Sequence, residues 1–334
     1  MSSTALRAVV AAGRSVGPAV HGDPKLGSLA LLPGTWANEP AFAGHGWNMI
    51  ALPLQQPGKR VTPPQSSDFR LLLNQFNETL TFSTVDTGVP NRGAALATLF
   101  DTDQHLAALQ YIQDIKQIAA ADFPTTPDIP DTPKGAAGIH HEPGLFLHLF
   151  SQTDYGPDIA RLATIPHGDA VMALGHGVVI NGPPSFDQIG DFSPLPIGVI
   201  PDVDQNPYLA PYKVFRDAPF KALFNPVDPL ALLKAAVPKN VKQTTVITLD
   251  TTLLTGGISN IPFIVRQANA TAMRAVFWIE ELTDTPVGGV PQIVLQYAQR
   301  VILEFFPAPG TNGTPIKWPH ITINTMKLVA LPPS

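Results

Sequence analysis

Apolar and polar residues alternate along much of this chain, and the alternation is strongest after Thr244, where TTVITLDTTL, AVFWIEEL, IVLQYAQRVILEFF and ITINTMKLVAL each read as strands. IPFIVRQA reads the same way. Period-two patterning places one set of side chains on a core face and the other on the opposite face. Earlier in the chain, Trp47–Leu54 is a strand, and Asp68–Phe82 carries Phe69, Leu71 and Leu73 on one face of one or two strands. Leu145–Phe150, Asp158–Ile165 and Ala170–Ile180 are three more. Leu106–Ile118 is ambiguous: Leu106, Leu109, Ile112, Ile115 and Ile118 recur at helical spacing, but the alternation around Tyr111 also fits a strand.

Breakers divide these segments. Gly27–Trp36 reads as a short helical turn leading into a strand, residues 1–26 before it as a leader, and Gly88–Gly93 as a turn. Residues 121–138 form a proline–glycine loop. Residues 181–240 hold eleven prolines between Pro183 and Pro238 and little periodicity. One short helix is expected there, with Asp228 as cap, Pro229 at the first position and LALLKAA following. This stretch is expected to be an insertion on the outside of a barrel or over one end. The remainder, 27–334, is expected to be a single domain.

Thirty-six prolines and 26 glycines exclude a fold of long helices, since proline removes a backbone donor and clashes with the preceding turn. Roughly ten to twelve short strands in up-and-down order define an all-β fold. Closing them into an antiparallel barrel removes the exposed edges an open sheet must protect. A barrel of this size can enclose a ligand.

Charge and composition narrow the function. The net charge is −5, and no basic stripe marks a nucleic-acid binder. The apolar runs are shorter than a bilayer span, and the first 20 residues are too weakly apolar for a secretory signal, so a cytoplasmic protein without a membrane partner is expected. The absence of cysteine excludes disulfides, thiolate metal sites and thiol catalysis. No HExxH, GxSxG, GxGxxG or P-loop occurs. Imidazole is the soft ligand that remains, from nine histidines, of which His140, His141 and His148 are the densest group. Neighbours on a strand point to opposite faces, so His140 and His141 cannot both enter one cavity.

Several segments together resemble the nitrobindin-like, haem-binding β-barrel family. They are Gly34-Thr35-Trp36 after Leu-Gly-Ser-Leu-Ala, then FNETLTF, VPNRG, His140-His141-Glu142-Pro143-Gly144-Leu145-Phe146, ATIPHGD, GGISNIPF, ANATAMRAVFWIE and Trp318-Pro319-His320-Ile321. They run in order from about residue 27 to the end. The resemblance implies a closed barrel, lipocalin-like in outline, that holds haem b (iron protoporphyrin IX) at one end. His320 stands where the family has its axial iron ligand and His140 where it has the histidine on the distal side. Glu142 and Gly144 match its other fixed positions. The implied chemistry is peroxidase-like or nitrogen-oxide redox catalysis, with His140 as the catalytic residue.

Haem iron needs a neutral imidazole oriented by a partner on its other nitrogen. If His320 faces the interior, Thr322, Asn324 and Met326 do too; Asn324 can orient a ligand and Met326 can pack on a porphyrin. Arg92 can pair with a propionate. The plainer alternatives are a rim residue for His320, a loop residue for His140 and an exposed turn for Arg92. Two other functions fit: a metal-free carrier of an apolar small molecule, and an interaction module that uses the proline-rich insertion.

Overall fold

The computed structural model describes residues 13–54, 69–95, 100–125, 137–149, 156–165, 168–307 and 313–332. Thirteen strands form one antiparallel sheet: β1 (Ser15–Pro18), β2 (Gly34–Ala37), β3 (Gly46–Pro53), β4 (Phe69–Ala95), β5 (Phe100–Phe123), β6 (Ala137–Leu149), β7 (Ile159–Ile165), β8 (Asp169–Asn181), β9 (Val241–Asp250), β10 (Gly257–Asn260), β11 (Asn269–Leu282), β12 (Ile293–Pro307) and β13 (Pro315–Ala330). Strands β4 to β9 and β11 to β13 follow one another around a ring. The gap between β13 and β4 is filled by β2 along one stretch and β3 along the next, which closes a barrel ten strands around. The all-β, closed antiparallel barrel expected from the alternation is therefore the fold. β1 adds to β4, and β10 adds to β8.

The ambiguous segment Leu106–Ile118 is strand. Leu109, Tyr111, Gln113 and Ile115 are buried, whereas Ile112, which helical spacing would place with them, is 37% exposed. Gly88–Gly93 is not a turn. β4 continues through it opposite β5, and Gly88 (φ 67°) absorbs an irregularity between Asp86 and Val89. A side chain at Gly88 would meet the Gly13 carbonyl, so glycine serves close chain approach here. IPFIVRQA is not a strand either. Pro262 starts a one-and-a-half-turn helix, α3 (Pro262–Gln267), since its missing N–H costs nothing at a first helical position.

The insertion spans the chain between β8 and β9 and holds two short helices, α1 (Ala210–Asp217) and α2 (Ala231–Ala236). The second begins past Pro229, with Leu230 rather than Asp228 at its cap. The insertion lies on the outer wall. Phe186 packs on Trp278 at 4.7 Å, Phe224 stacks on Trp47 at 5.6 Å, and Gln296 donates to the Leu233 carbonyl. This cover explains the run Ala275–Glu280 on β11, buried at every position: Phe277 faces the barrel core and Trp278 the insertion. A strand buried on both faces needs no polar alternation.

Residues 13–26, read from sequence as leader, contribute β1 and part of a plug. A 3-10 turn, Pro24–Leu29, enters one end of the barrel with Leu26 and Leu29 fully buried. Asp23 caps it by accepting from the Lys25 N–H. Gly27 (φ 54°) lies flat against the His148 imidazole, whose Nδ1 donates to the Lys25 carbonyl at 2.9 Å. Trp36 Nε1 donates to the Leu32 carbonyl beside the plug.

Candidate functional site

The inner wall of β6 reads, from the plugged end outward, His148, Phe146, Gly144, Glu142, His140. On β13 the same face reads Leu328, Met326, Asn324, Thr322, His320, because Asn324 lies opposite Tyr297, and His320 opposite Val301, on β12. His140 and His320 therefore stand on the inner wall at the same end of the barrel, away from the plug. Trp318, just beyond His320, belongs to an aromatic group with Phe69, Phe305 and Tyr208.

Between the two ends the interior carries charge. Arg161 of β7 is fully buried and donates from Nη2 to Glu142 Oε1 (2.6 Å), from Nε to the Tyr111 hydroxyl (2.9 Å) and from Nη1 to Gln299 Oε1 (2.9 Å). Tyr111 also donates to Glu142. The guanidinium stands 5.4–5.8 Å from the ring centres of Tyr111, Phe146 and Phe277, where cation–π attraction offsets lost hydration. His140 Nε2 lies 3.1 Å from Glu142 Oε2, so the i, i+2 pair shares one face as strand geometry requires. Burial pushes the Glu142 carboxyl up most, but Arg161 together with the contacts of His140 and Tyr111 outweighs it and holds the group at about 2. Glu142 is a carboxylate at neutral pH.

A second buried carboxyl has the opposite setting. Glu78 of β4 accepts from Tyr297 (2.6 Å), Asn324 (2.8 Å) and Gln113 (2.8 Å), and among the described residues no arginine hydrogen-bonds to it. Burial raises its pKa, and these three donors only partly offset the rise. Asn38 completes the group by donating to Asn324 Oδ1 and accepting from the Glu78 N–H. Two carboxyls with environments that push them apart thus share one interior.

Asn324 is engaged with Glu78 and Asn38, away from His320. Met326 is fully buried nearer the plug. His320 is half-buried, and Asn48 of β3 donates to its Nε2 at 2.7 Å and to Thr322 Oγ1 at 3.0 Å. Arg92 lies in β4 opposite Asp103 and not in a turn; its side chain is outside the described residues. Among the described residues no group of three or more His, Cys, Asp or Glu side chains could hold a metal ion. Nor is any helix long and apolar enough to cross a membrane.

Arg161, Glu78 and Asn48 were not singled out by sequence. Arg161 left a signal: in Ile159–Ile165 it is the lone charge within an apolar strand. Glu78 sits at an inward position in an alternating run. Asn48 left none, because its partner lies more than 270 residues away.

The fold and site define a closed β-barrel, plugged at one end, polar at its centre and lined by two histidines at the other. No family model matches the chain, and no curated protein does. Among solved structures it resembles Rv2717c from M. tuberculosis at 12% identity and a TM-score of 0.36, over 92% of this chain and 98% of that one. An overlap this loose carries no argument about function.

Proposed function

We propose that this chain is a ligand-binding barrel loaded at the end that carries His140 and His320, and that its ligand is haem. The observation behind this reading is the placement of both imidazoles on the inner wall opposite the plug, with the Arg161–Glu142 pair beneath His140. In type, His320 and His140 are imidazoles of the kind that haem iron takes. His320 would hold the iron, and His140, held by Glu142, would stand near the bound group. Met326 and Asn324 stand deeper on the same wall as His320, whereas Arg92 lies on β4 beyond the plugged end and takes no part in this reading. The Nε2 atom of His320 is shared with Asn48, so the iron would displace that amide. Bound haem would supply redox and small-ligand chemistry whose course depends on distal polarity. The chain's own part is to present a neutral imidazole and to keep Glu142 ionised beside His140.

Hemin titrated into the purified protein tests this. A saturable Soret shift that His320→Ala abolishes, or weakens at least about tenfold, is the expected result. A wild-type protein that takes up no hemin sinks the proposal.

The bond from Asn48 to His320 favours a second reading, a metal-free carrier of an apolar small molecule. In that case an apolar fluorophore binds, and His320→Ala leaves its affinity unchanged.

A further inference from the structure

On the outer wall, Arg274 of β11 lies directly opposite Arg300 of β12. Like charges in directly opposed positions repel, so such a pair needs compensation. Arg274 has it: Nε and Nη2 donate to the Ile189 and Gln188 carbonyls of the insertion, and Nη1 donates to Asp250. Arg300 does not. Its side chain is only 14% exposed, its Nη1 is shielded from solvent without a hydrogen-bond acceptor, and its ion pair with Asp191 is long at 3.9 Å. Asp191 itself is 79% exposed. A guanidinium cannot shed its proton to escape this position.

Arg300 borders a cleft of about 240 Å³ between barrel wall and insertion, lined also by Gly190, Asp191, Asp250, Thr252 and Arg274, with Ala272, Met273 and Ile302 as its apolar side. Two arginines and two aspartates bring its formal charge to zero, which disfavours a polyanion. A single negative charge on a short apolar body matches both the free donor and the apolar side. We propose that this cleft binds a small monocarboxylate, which draws the Arg300 guanidinium towards the cleft so that its carboxylate takes the Nη1 donor, while its hydrocarbon part rests on Ala272 and Ile302.

Calorimetric titration of the full chain with butyrate, butyramide and inorganic phosphate tests the site. Butyrate is expected to bind with Kd on the order of 1 mM, butyramide not at all and phosphate more weakly. Arg300→Gln should weaken butyrate at least about tenfold. Asp191→Asn removes the competing carboxylate and should tighten butyrate about threefold. Asp191 is exposed, so this variant keeps the test decisive if Arg300→Gln does not fold. His320→Ala should leave butyrate binding unchanged, which separates the cleft from the barrel mouth. Absence of saturable butyrate binding, phosphate binding tighter than butyrate, or an affinity indifferent to Asp191→Asn would each overturn the proposal.

Discussion

Arg161 and Glu142 meet 2.6 Å apart inside the barrel, on neighbouring strands, with both side chains almost wholly withdrawn from water. Removing one partner leaves a buried charge without its counterion, which is far costlier than replacing both. Arg161→Met is therefore expected to destabilise the fold by about 3–5 kcal/mol in urea unfolding at pH 7. Adding Glu142→Gln should recover part of that loss. A double variant that loses the sum of the Arg161→Met and Glu142→Gln losses would show that the pair is not coupled.

The same pair sets an acid limb. Glu142 sits at about 2 in the fold against 4.5 when unfolded, so between these values the unfolded chain binds more protons. Stability from this group is complete above about pH 4.5 and is lost as pH falls towards 2. Glu142→Gln should flatten that limb in pH-dependent thermal melts.

Glu280 on β11 has the reverse linkage. It is fully buried, neither carboxyl oxygen has a hydrogen-bond partner, and burial raises its pKa to about 8. Between about 4.5 and 8 the folded state holds a proton that the unfolded state has released, so stability falls as pH rises through this window. Glu280→Gln should stabilise the protein at pH 8 by roughly 1–3 kcal/mol and leave it little changed at pH 5. A parallel pH profile for variant and wild type would refute this.

Gly27 holds a left-handed backbone, and an added Cβ would come 2.4 Å from His148 Nε2. Gly27→Ala should lower stability by about 1–3 kcal/mol through strain and collision at the plug. Combining it with His148→Ala relieves the collision but not the backbone strain, so a partial recovery in melting temperature is expected.

Asn48→Ala removes the amide from His320 Nε2 and loses about 1 kcal/mol of hydrogen bonding. If His320 takes iron, hemin affinity should rise about fivefold, since the amide no longer competes. Hemin titration of this variant beside wild type reads the difference directly, and a fall in affinity would argue against ligation through that nitrogen.

Much of this fold was legible in the order of residues because its determinants are local. Alternation along β4, β9 and β11 to β13 specifies strands, and the proline density between Asn181 and Val241 marks an insertion. The chain also placed Thr322, Asn324 and Met326 on the face of His320, since a pleat has a fixed period of two. Local patterns misled where one residue governs the outcome: Gly88 carries an irregularity within a strand, and Pro262 starts a helix in an apolar run that resembles a strand.

What tertiary structure alone decided is which partners meet. Only closure of the ring brings Asn48 to His320, Arg161 to Gln299 and Glu78 to Tyr297, across separations of 272, 138 and 219 residues. Only the folded insertion leaves Arg300 facing a cleft without an acceptor for Nη1. The reason is physical. Strand propensity and facing are properties of a few consecutive residues, whereas the charge state and use of a polar side chain depend on burial and on neighbours that the chain supplies from far away.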